Sequence, residues 1–320
     1  VIMNFSLNSV NTLYDSMQSI AITLVLVLGL IILVISVLYS GQVVMPMKEV
    51  AGSIAMISSG DFNETMQITG YSEAEDISDK FNSMLSVLQN LEDARQEFVS
   101  NVSHELKTPI TSVKVLAESL IGQENVPVEL YQEFMVDINE ELERMNKIIN
   151  DLLTLVKMDK NASEVNISEV NINEFLEAIL KQLQPIADKR NIEMIFESVR
   201  SVTAQVDEVK LAMAFRNLIE NAIKYNYDNG WVRVSLNADH KFFYLKVSDS
   251  GVGIPEELQD SIFERFYRVD KARSRETGGN GLGLAITRNA ILLHRGSIKV
   301  HSIEQQGTTF AVRIPLMYSE

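Results

Sequence analysis

The sequence predicts a multidomain chain: a transmembrane helix, an α-helical coiled-coil linker and a dimeric four-helix bundle, then an α/β sandwich. Three observations carry that expectation. One aliphatic stretch near the start is free of charge, two long patterns with apolar residues every three or four positions follow it, and beyond residue 170 such patterns alternate with runs of period two. The formal net charge of -15 offers no basic face to a nucleic acid. Cysteine is absent, so neither a disulfide framework nor a thiolate metal site is available.

Residues 1-19 are weakly patterned and lack the basic start of a secretory signal. Residues 20-40 are almost wholly aliphatic, and no charged residue occurs between Asp15 and Lys48, a length that crosses a bilayer. Every Lys and Arg lies C-terminal to this span, which favours a cytoplasmic C-terminal side. Within 41-92 two amphipathic helices are expected. Pro46 opens the first, with Val50, Ile54 and Ile57 as its stripe, and Gly60-Asp61 stops it; Ile77, Phe81, Met84, Leu85 and Leu88 form the second stripe. Neither helix buries its face alone. The second runs on without a breaker into the next domain.

In that next domain Leu91, Phe98, Val102, Leu106, Pro109, Val113, Leu116 and Leu120 mark one buried helical stripe. His104 is off it, roughly 200° from both Val102 and Leu106, with Thr108 one turn below. Pro109 removes the donor that would serve the carbonyl of Glu105 and so loosens or kinks the helix past the histidine. An exposed imidazole beside a carboxylate reads as a displayed nucleophile. After a connection at Gln123 to Pro127, Phe134, Ile138, Leu142, Met145, Ile149, Leu152 and Val156 pattern a returning helix. The hairpin leaves an apolar stripe uncovered, which pairing two hairpins into a homodimer would cover; the alternative is burial against another domain of the same chain, which has less room. Asn161 to Val170 is polar and reads as a hinge.

Helical patterns at about 173-190, 208-226 and 282-294 then alternate with strand patterns at about 191-197, 231-237, 242-248, 296-302 and 308-316. This describes helices on one face of a mixed sheet. On the 208-226 helix the core side is Leu211, Phe215, Leu218 and Ala222, while Asn217, Asn221 and Lys224 share an adjacent polar side. Amide oxygens suit Mg2+ and an ammonium suits phosphate. Asp249 ends a strand, placed to accept a hydrogen bond from an adenine amino group, and Gly251 and Gly253 let the backbone approach the base and turn. Gly279, Gly281 and Gly283 open a helix, where free amides and the helix dipole favour phosphate. The aromatic and basic stretch 255-278 between them exceeds an ordinary connection.

Five boxes in order, from Ser103 to Pro109, Asn217 to Tyr225, Asp249 to Ile254, Phe263 to Arg268 and Gly278 to Leu284, resemble those of bacterial sensor histidine kinases. The resemblance implies a HAMP linker at 41-92, a dimerisation and histidine phosphotransfer domain at 93-160, and at 166-318 a Bergerat-type ATP-binding domain, the sandwich of gyrase and MutL-type ATPases. It implies ATP and Mg2+ as cofactors, His104 as phosphoacceptor, and an aspartate of a response-regulator receiver domain as the next acceptor. Glu105 would take the hydrogen bond of the imidazole N–H. By the same resemblance Asn221 is the metal ligand supported by Asn217, Lys224 meets a phosphate, and Tyr225 lies against the nucleotide. Asp249, Gly251 and Gly253 serve the base; Gly279, Gly281, Leu282 and Gly283 serve the phosphates. Arg268, at the end of the lid box, would neutralise the transferred group, and Thr108 would position water for dephosphorylation of the regulator. The implied location is the lipid bilayer of the bacterial cell membrane, with the kinase domains cytoplasmic and 1-19 the residue of an extracellular segment whose earlier part precedes Val1.

Two other readings compete. An ATPase driving conformational change would need a general-base glutamate four residues before the metal-binding asparagine, where this chain has Asn217. A membrane scaffold with a nonfunctional pocket conflicts with the intact boxes.

Overall fold

The computed structural model describes residues 7–58, 72–122, 126–160, 165–269 and 279–318. Two compact units, Val1–Val99 and Ser100–Glu320, make up the chain. In the first, helix α1 runs from Leu7 to Ser58. Its segment Val10–Gly41 has a mean hydropathy of 3.2 and is long and apolar enough to cross a membrane. The helix does not start afresh at Pro46, contrary to expectation, because a proline deletes one hydrogen bond of a ladder whose flanking turns keep theirs. The expected stop at Gly60-Asp61 lies outside the described residues. Helix α2, Ser72–Ile121, begins in this unit. Of its expected stripe Leu85 is buried, whereas Ile77 and Met84 are exposed.

In the second unit α2 continues through Pro109 without ending. Thr108 Oγ1 donates to the carbonyl of His104 at 3.2 Å and Thr111 Oγ1 to that of Lys107 at 2.8 Å, so side chains support the ladder around the missing donor. Helix α3, Val128–Lys160, follows. Along it Leu142, Ile149 and Val156 are exposed. Leu155 and Met158 behave differently. They join the core of the α/β domain, with Leu152 packed against it, so the last turns of α3 belong to that domain rather than to a free bundle.

The α/β domain holds a five-stranded sheet in the order β2-β4-β5-β7-β6. The strands are β2 Glu193–Ser198, β4 Trp231–Ala238, β5 Phe242–Asp249, β6 Ser297–Ile303 and β7 Gly307–Pro315. Only β2 and β4 are parallel, which makes the sheet mixed as expected. A second small sheet pairs β1, Ser168–Asn171, with β3, Thr203–Val206. Neither strand is legible in the sequence, and β1 converts the end of the expected hinge into sheet. Helices α4 Ile172–Asp188, α5 Glu208–Lys224 and α6 Gly283–Leu293 supply the other half of the core.

Helices α4 and α5 start where a side chain serves their orphan amides. Asn171 accepts from the amides of Asn173 and Glu174 at α4, and Asp207 from that of Lys210 at α5. The ends are tied as well. Buried His294, capping α6, accepts the Asp207 amide on Nε2 at 2.9 Å, and Arg190 donates to the carbonyls of Ile223, Lys224 and Asn226 where α5 ends.

Strand alternation does the rest. Val232, Val234 and Leu236 of β4, Phe243, Leu245 and Val247 of β5, and Phe310, Val312 and Ile314 of β7 all point inward. The same period carries β5 to Asp249, so a carboxylate occupies the next inward position.

Replacing Leu155 by alanine should destabilise the α/β domain by about 2–5 kcal/mol, the range for a fully buried leucine. Urea unfolding followed by fluorescence of Trp231, the chain's single tryptophan, measures this. An unchanged midpoint would mean that α3 does not contribute to that core.

Candidate functional site

At the inner end of β5, Asp249 is 8% exposed. Its Oδ1 accepts from the amides of Gly251 at 2.9 Å and Thr308 at 3.2 Å, which leaves Oδ2 for a ligand donor. Burial outweighs those two bonds and raises the carboxyl to about 6. Side chains are excluded from the surrounding turns. A Cβ on Gly251 would lie 2.3 Å from the Tyr225 carbonyl oxygen, and one on Gly307, at φ +113°, 1.9 Å from that of Asp249. Gly253 turns at φ +69°, and its absent Cβ also makes room for the Ile303 carbonyl at the end of β6.

The end of α5 is bound to this turn. Asn226, 1% exposed, donates to the Trp231 carbonyl at 2.9 Å and accepts from Ser250 Oγ at 3.0 Å, while the Val252 amide donates to the Tyr225 carbonyl at 3.1 Å. Asn217, Asn221, Lys224 and Tyr225 line up half-buried along the same helix. Lys224 Nζ lies 5.2 Å from the centre of the Tyr225 ring. Burial, then the charges of Lys147, Arg268 and Arg144 against that of Glu220, lowers the Lys224 ammonium to about 8.

The glycine loop closes on this face. A Cβ on Gly279 would stand 2.8 Å from Lys224 Nζ and 3.2 Å from the Tyr225 hydroxyl, and Asn217 Nδ2 donates to the Gly283 carbonyl at 3.2 Å. Gly281, at φ +70°, packs on the backbone of Phe266, whose own φ of 63° is costly for a bulky residue. The amide of Leu282 is not open, contrary to expectation. It donates at 3.1 Å to the side chain of Asn280, while the Leu282 side chain is buried. Residues 270–278 of the lid lie outside the described residues.

His104 is exposed on α2, on a groove of about 520 Å³ that it shares with Thr108, Thr111 and Leu116. The expected hydrogen bond from its ring to Glu105 does not occur among the described contacts. Glu105 Oε1 instead lies 3.7 Å from Nη1 of Arg268, whose side chain is 8% exposed. Four contributors escaped the sequence reading: Asn226, Thr308, Asn280 and Asp151. Asn226 directly follows a motif and could have been read with it, whereas the others become partners only through folding.

The site suits a purine nucleotide: a desolvated acceptor for an exocyclic amine, a backbone stripped of Cβ atoms around it, and an ammonium beside a glycine loop. Among the described residues no three His, Cys, Asp or Glu side chains gather to hold a metal.

Residues 206–317 match the family of histidine kinase-, DNA gyrase B- and HSP90-like ATPases, and residues 94–161 match the His Kinase A (phospho-acceptor) domain. An ATP-binding domain of this type joined to a phospho-acceptor hairpin defines a class, and the chain belongs to the sensor histidine kinases of two-component systems. It is 36% identical over 281 residues to the sensor protein kinase WalK of Staphylococcus epidermidis, covering 86% of this chain and 44% of that protein. With a Staphylococcus aureus WalK it shares 37% over 276 residues, 84% of this chain and 64% of the relative. The chain therefore spans about half the length of the curated relatives it matches. Two solved structures share the fold. The histidine kinase ThkA, solved in complex with the response regulator protein TrrA, has a TM-score of 0.58 at 24% identity, over 71% of this chain and 64% of that one. The Acinetobacter baumannii histidine kinase AdeS has 0.55 at 23%, over 67% of this chain and 98% of that one.

Because the Asp249 carboxyl is raised from 3.8 to about 6, its contribution to stability is complete below about pH 4 and is lost as pH rises through about 6. At pH 7 the ionised group is a cost. Asp249→Asn should stabilise the ligand-free protein at pH 7 by on the order of 2 kcal/mol and flatten its pH profile between 4 and 6. Thermal unfolding across that range tests it, and equal profiles for the two proteins would refute the shift.

Proposed function

We propose that this chain is an ATP-dependent protein-histidine kinase that phosphorylates His104 and passes the phosphoryl group to an aspartate of a response-regulator receiver domain. One observation carries the reading. The glycine loop meets Asn217, Lys224 and Tyr225 of α5, the Asp249 turn packs on the end of that helix, and Arg268 reaches the neighbour of an exposed histidine.

In this reading Asp249 accepts from the adenine amine, and Gly251 keeps the base close to the backbone. Lys224 and the amides of the glycine loop hold the phosphates, with Tyr225 against the nucleotide. Asn221 offers its amide oxygen to Mg2+, which offsets phosphate charge when bound. Arg268 moves from Glu105 to the phosphates, and Glu105 then accepts the N–H of the His104 ring, leaving the other nitrogen to attack. Asn217 cannot deprotonate water, and its amide is engaged by Gly283, so hydrolysis in place of transfer is disfavoured. Thr108 stands one turn from His104, the place for a group that positions water in regulator dephosphorylation.

Homodimerisation through the exposed faces of α2 and α3, a membrane anchor at Val10–Gly41, a HAMP linker at 41-92 and cytoplasmic kinase domains complete the proposal. A relative solved with a response regulator supports the partner class.

Incubation with γ-labelled ATP and Mg2+ should give acid-labile, alkali-stable label in the wild type and none in His104→Gln or Asn221→Ala. Label surviving without His104 would defeat the assignment. Nucleotide binding should also follow a bell in pH. It weakens below about 6, where protonated Asp249 presents a donor to the amine, and above about 8, where Lys224 loses its charge. Calorimetric titration of ADP from pH 5 to 9 reads this, and a flat profile would remove both residues from the site.

A further inference from the structure

Helices α4, α5 and α6 cover one face of the five-stranded sheet, and the core between them holds the inward residues of β4, β5 and β7. Outward positions alternate with these. On β4, β5, β7 and β6 they carry exposed Arg233, Lys246, Arg313 and Lys299 and no Asp or Glu, in a chain whose formal net charge is -15. The strand register aligns three of these cations. Arg233 pairs with Ser248, two positions from Lys246, and Lys246 pairs with Ala311, two positions from Arg313. Each step is a diagonal of about 8 Å, so the three form one line of roughly 16 Å across the centre of the sheet.

The floor beside that line is low. Ser235, Ser248, Thr309 and Ala311 are small, and Thr309 Oγ1 donates to Ser248 Oγ at 2.9 Å. Aromatic rings steady two of the cations: the Arg233 guanidinium lies 5.2 Å from the centre of the Trp231 ring, and that of Arg313 4.8 Å from the centre of the Phe242 ring. Acids occur at the rim. Glu197 of β2 lies 3.4 Å from Arg233 with both side chains about half exposed, and Asp239, just past β4, accepts from the amides of Lys241 and Phe242 and from the Tyr244 hydroxyl.

A surface of opposite sign and similar length lies on α3. Glu129, Glu133, Asp137, Glu140 and Glu143 are exposed, and no Lys or Arg occurs between 129 and 143. At about 100° and 1.5 Å per residue the five fall within about 120° of one another and run for about 21 Å, opposite the apolar stripe of Phe134, Ile138 and Leu142. The chain's own α3 cannot bring this stripe to the outward face. It is one continuous helix, Val128–Lys160, whose last turns pack into the core on the helical side of the sheet. A second hairpin bundled against the first stands on that same side.

We propose that the outward face of the sheet docks the acidic stripe of α3 from a neighbouring dimer of this chain. The inference rests on the dimer and the membrane anchor of the reading above and goes beyond its chemistry. Each copy presents both surfaces, so the contact is heterologous and propagates from dimer to dimer instead of closing. Like net charge opposes it only at long range, because screening over about 8 Å at physiological ionic strength removes most of that repulsion and leaves the contacting pairs. Exposed ion pairs are individually weak, and a shared membrane supplies the high local concentration they need.

The chain has no cysteine, which makes thiol cross-linking specific. The full chain carrying Lys246→Cys and Asp137→Cys, at the centres of the line and of the stripe, is expressed in membranes and treated with a short bifunctional maleimide. Products of three and more chains should form at low salt and fall about tenfold at high salt. Adding Arg233→Glu and Arg313→Glu should lower them by a similar factor, and further adding Glu129→Lys and Glu143→Lys should restore them. A ladder that ends at two chains, or one indifferent to salt and to charge reversal, would overturn the proposal. Amine cross-linking at high salt should still capture pairs of chains. Single chains alone under that condition would overturn the dimer and the proposal with it, a result distinguishable from the loss of the ladder.

Discussion

The buried carboxylate of Asp249 sets the terms for the loops around it. A charge at an inward strand position costs free energy unless donors are brought to it, and here they come from Gly251 in its own turn and from Thr308 across the sheet on β7. Bringing β7 that close requires Gly307, because any Cβ there would collide with the Asp249 carbonyl. The turn is in turn joined to α5 through Ser250 and Asn226. Strand, turn and helix end thus form one body, and that body holds the Asp249 carboxylate in fixed relation to Lys224 and Tyr225. Two bonds do not fully compensate the charge, which is why the carboxyl titrates near 6.

The attachment of the catalytic domain to α3 combines strong and weak contributions. Full burial of a leucine such as Leu155 is worth about 1.5–3 kcal/mol, whereas a hydrogen bond adds about 1 and an ion pair at 3.7 Å less. The apolar seam therefore holds the two parts together. Polar contacts at Asn280 and Arg268 select which part of the catalytic domain faces the hairpin.

Legibility followed the range of the interaction. Strands β4, β5, β6 and β7 announce themselves by alternation, and α4, α5 and α6 by apolar spacing, because one face of each is buried by the whole domain. The exposed position of His104 follows from the same helical period. Strands β1 and β3 lack such a signal, since each is four residues long and its register is fixed only by the other. Pro46 was read as the start of a helix, yet α1 runs through it, because neighbouring turns maintain the ladder, whereas α2 runs on past Pro109 to Ile121 as its apolar spacing indicates. Gly253 turns at positive φ as expected, and its closeness to Ile303 is a contact made by residues far apart in the chain.

The sequence by itself determined the architecture and the family, because periodicity, glycine spacing and the order of motifs are local properties of a chain. Only the tertiary structure decided that Asp249 is desolvated, that Lys224 lies within reach of the charges of α3, that Asn280 is held by Asp151, and that Glu105 faces Arg268 rather than His104. Each of those depends on a partner many positions away. Electrostatic environment and docking are set by what folding brings near a group, and no window of sequence contains that information.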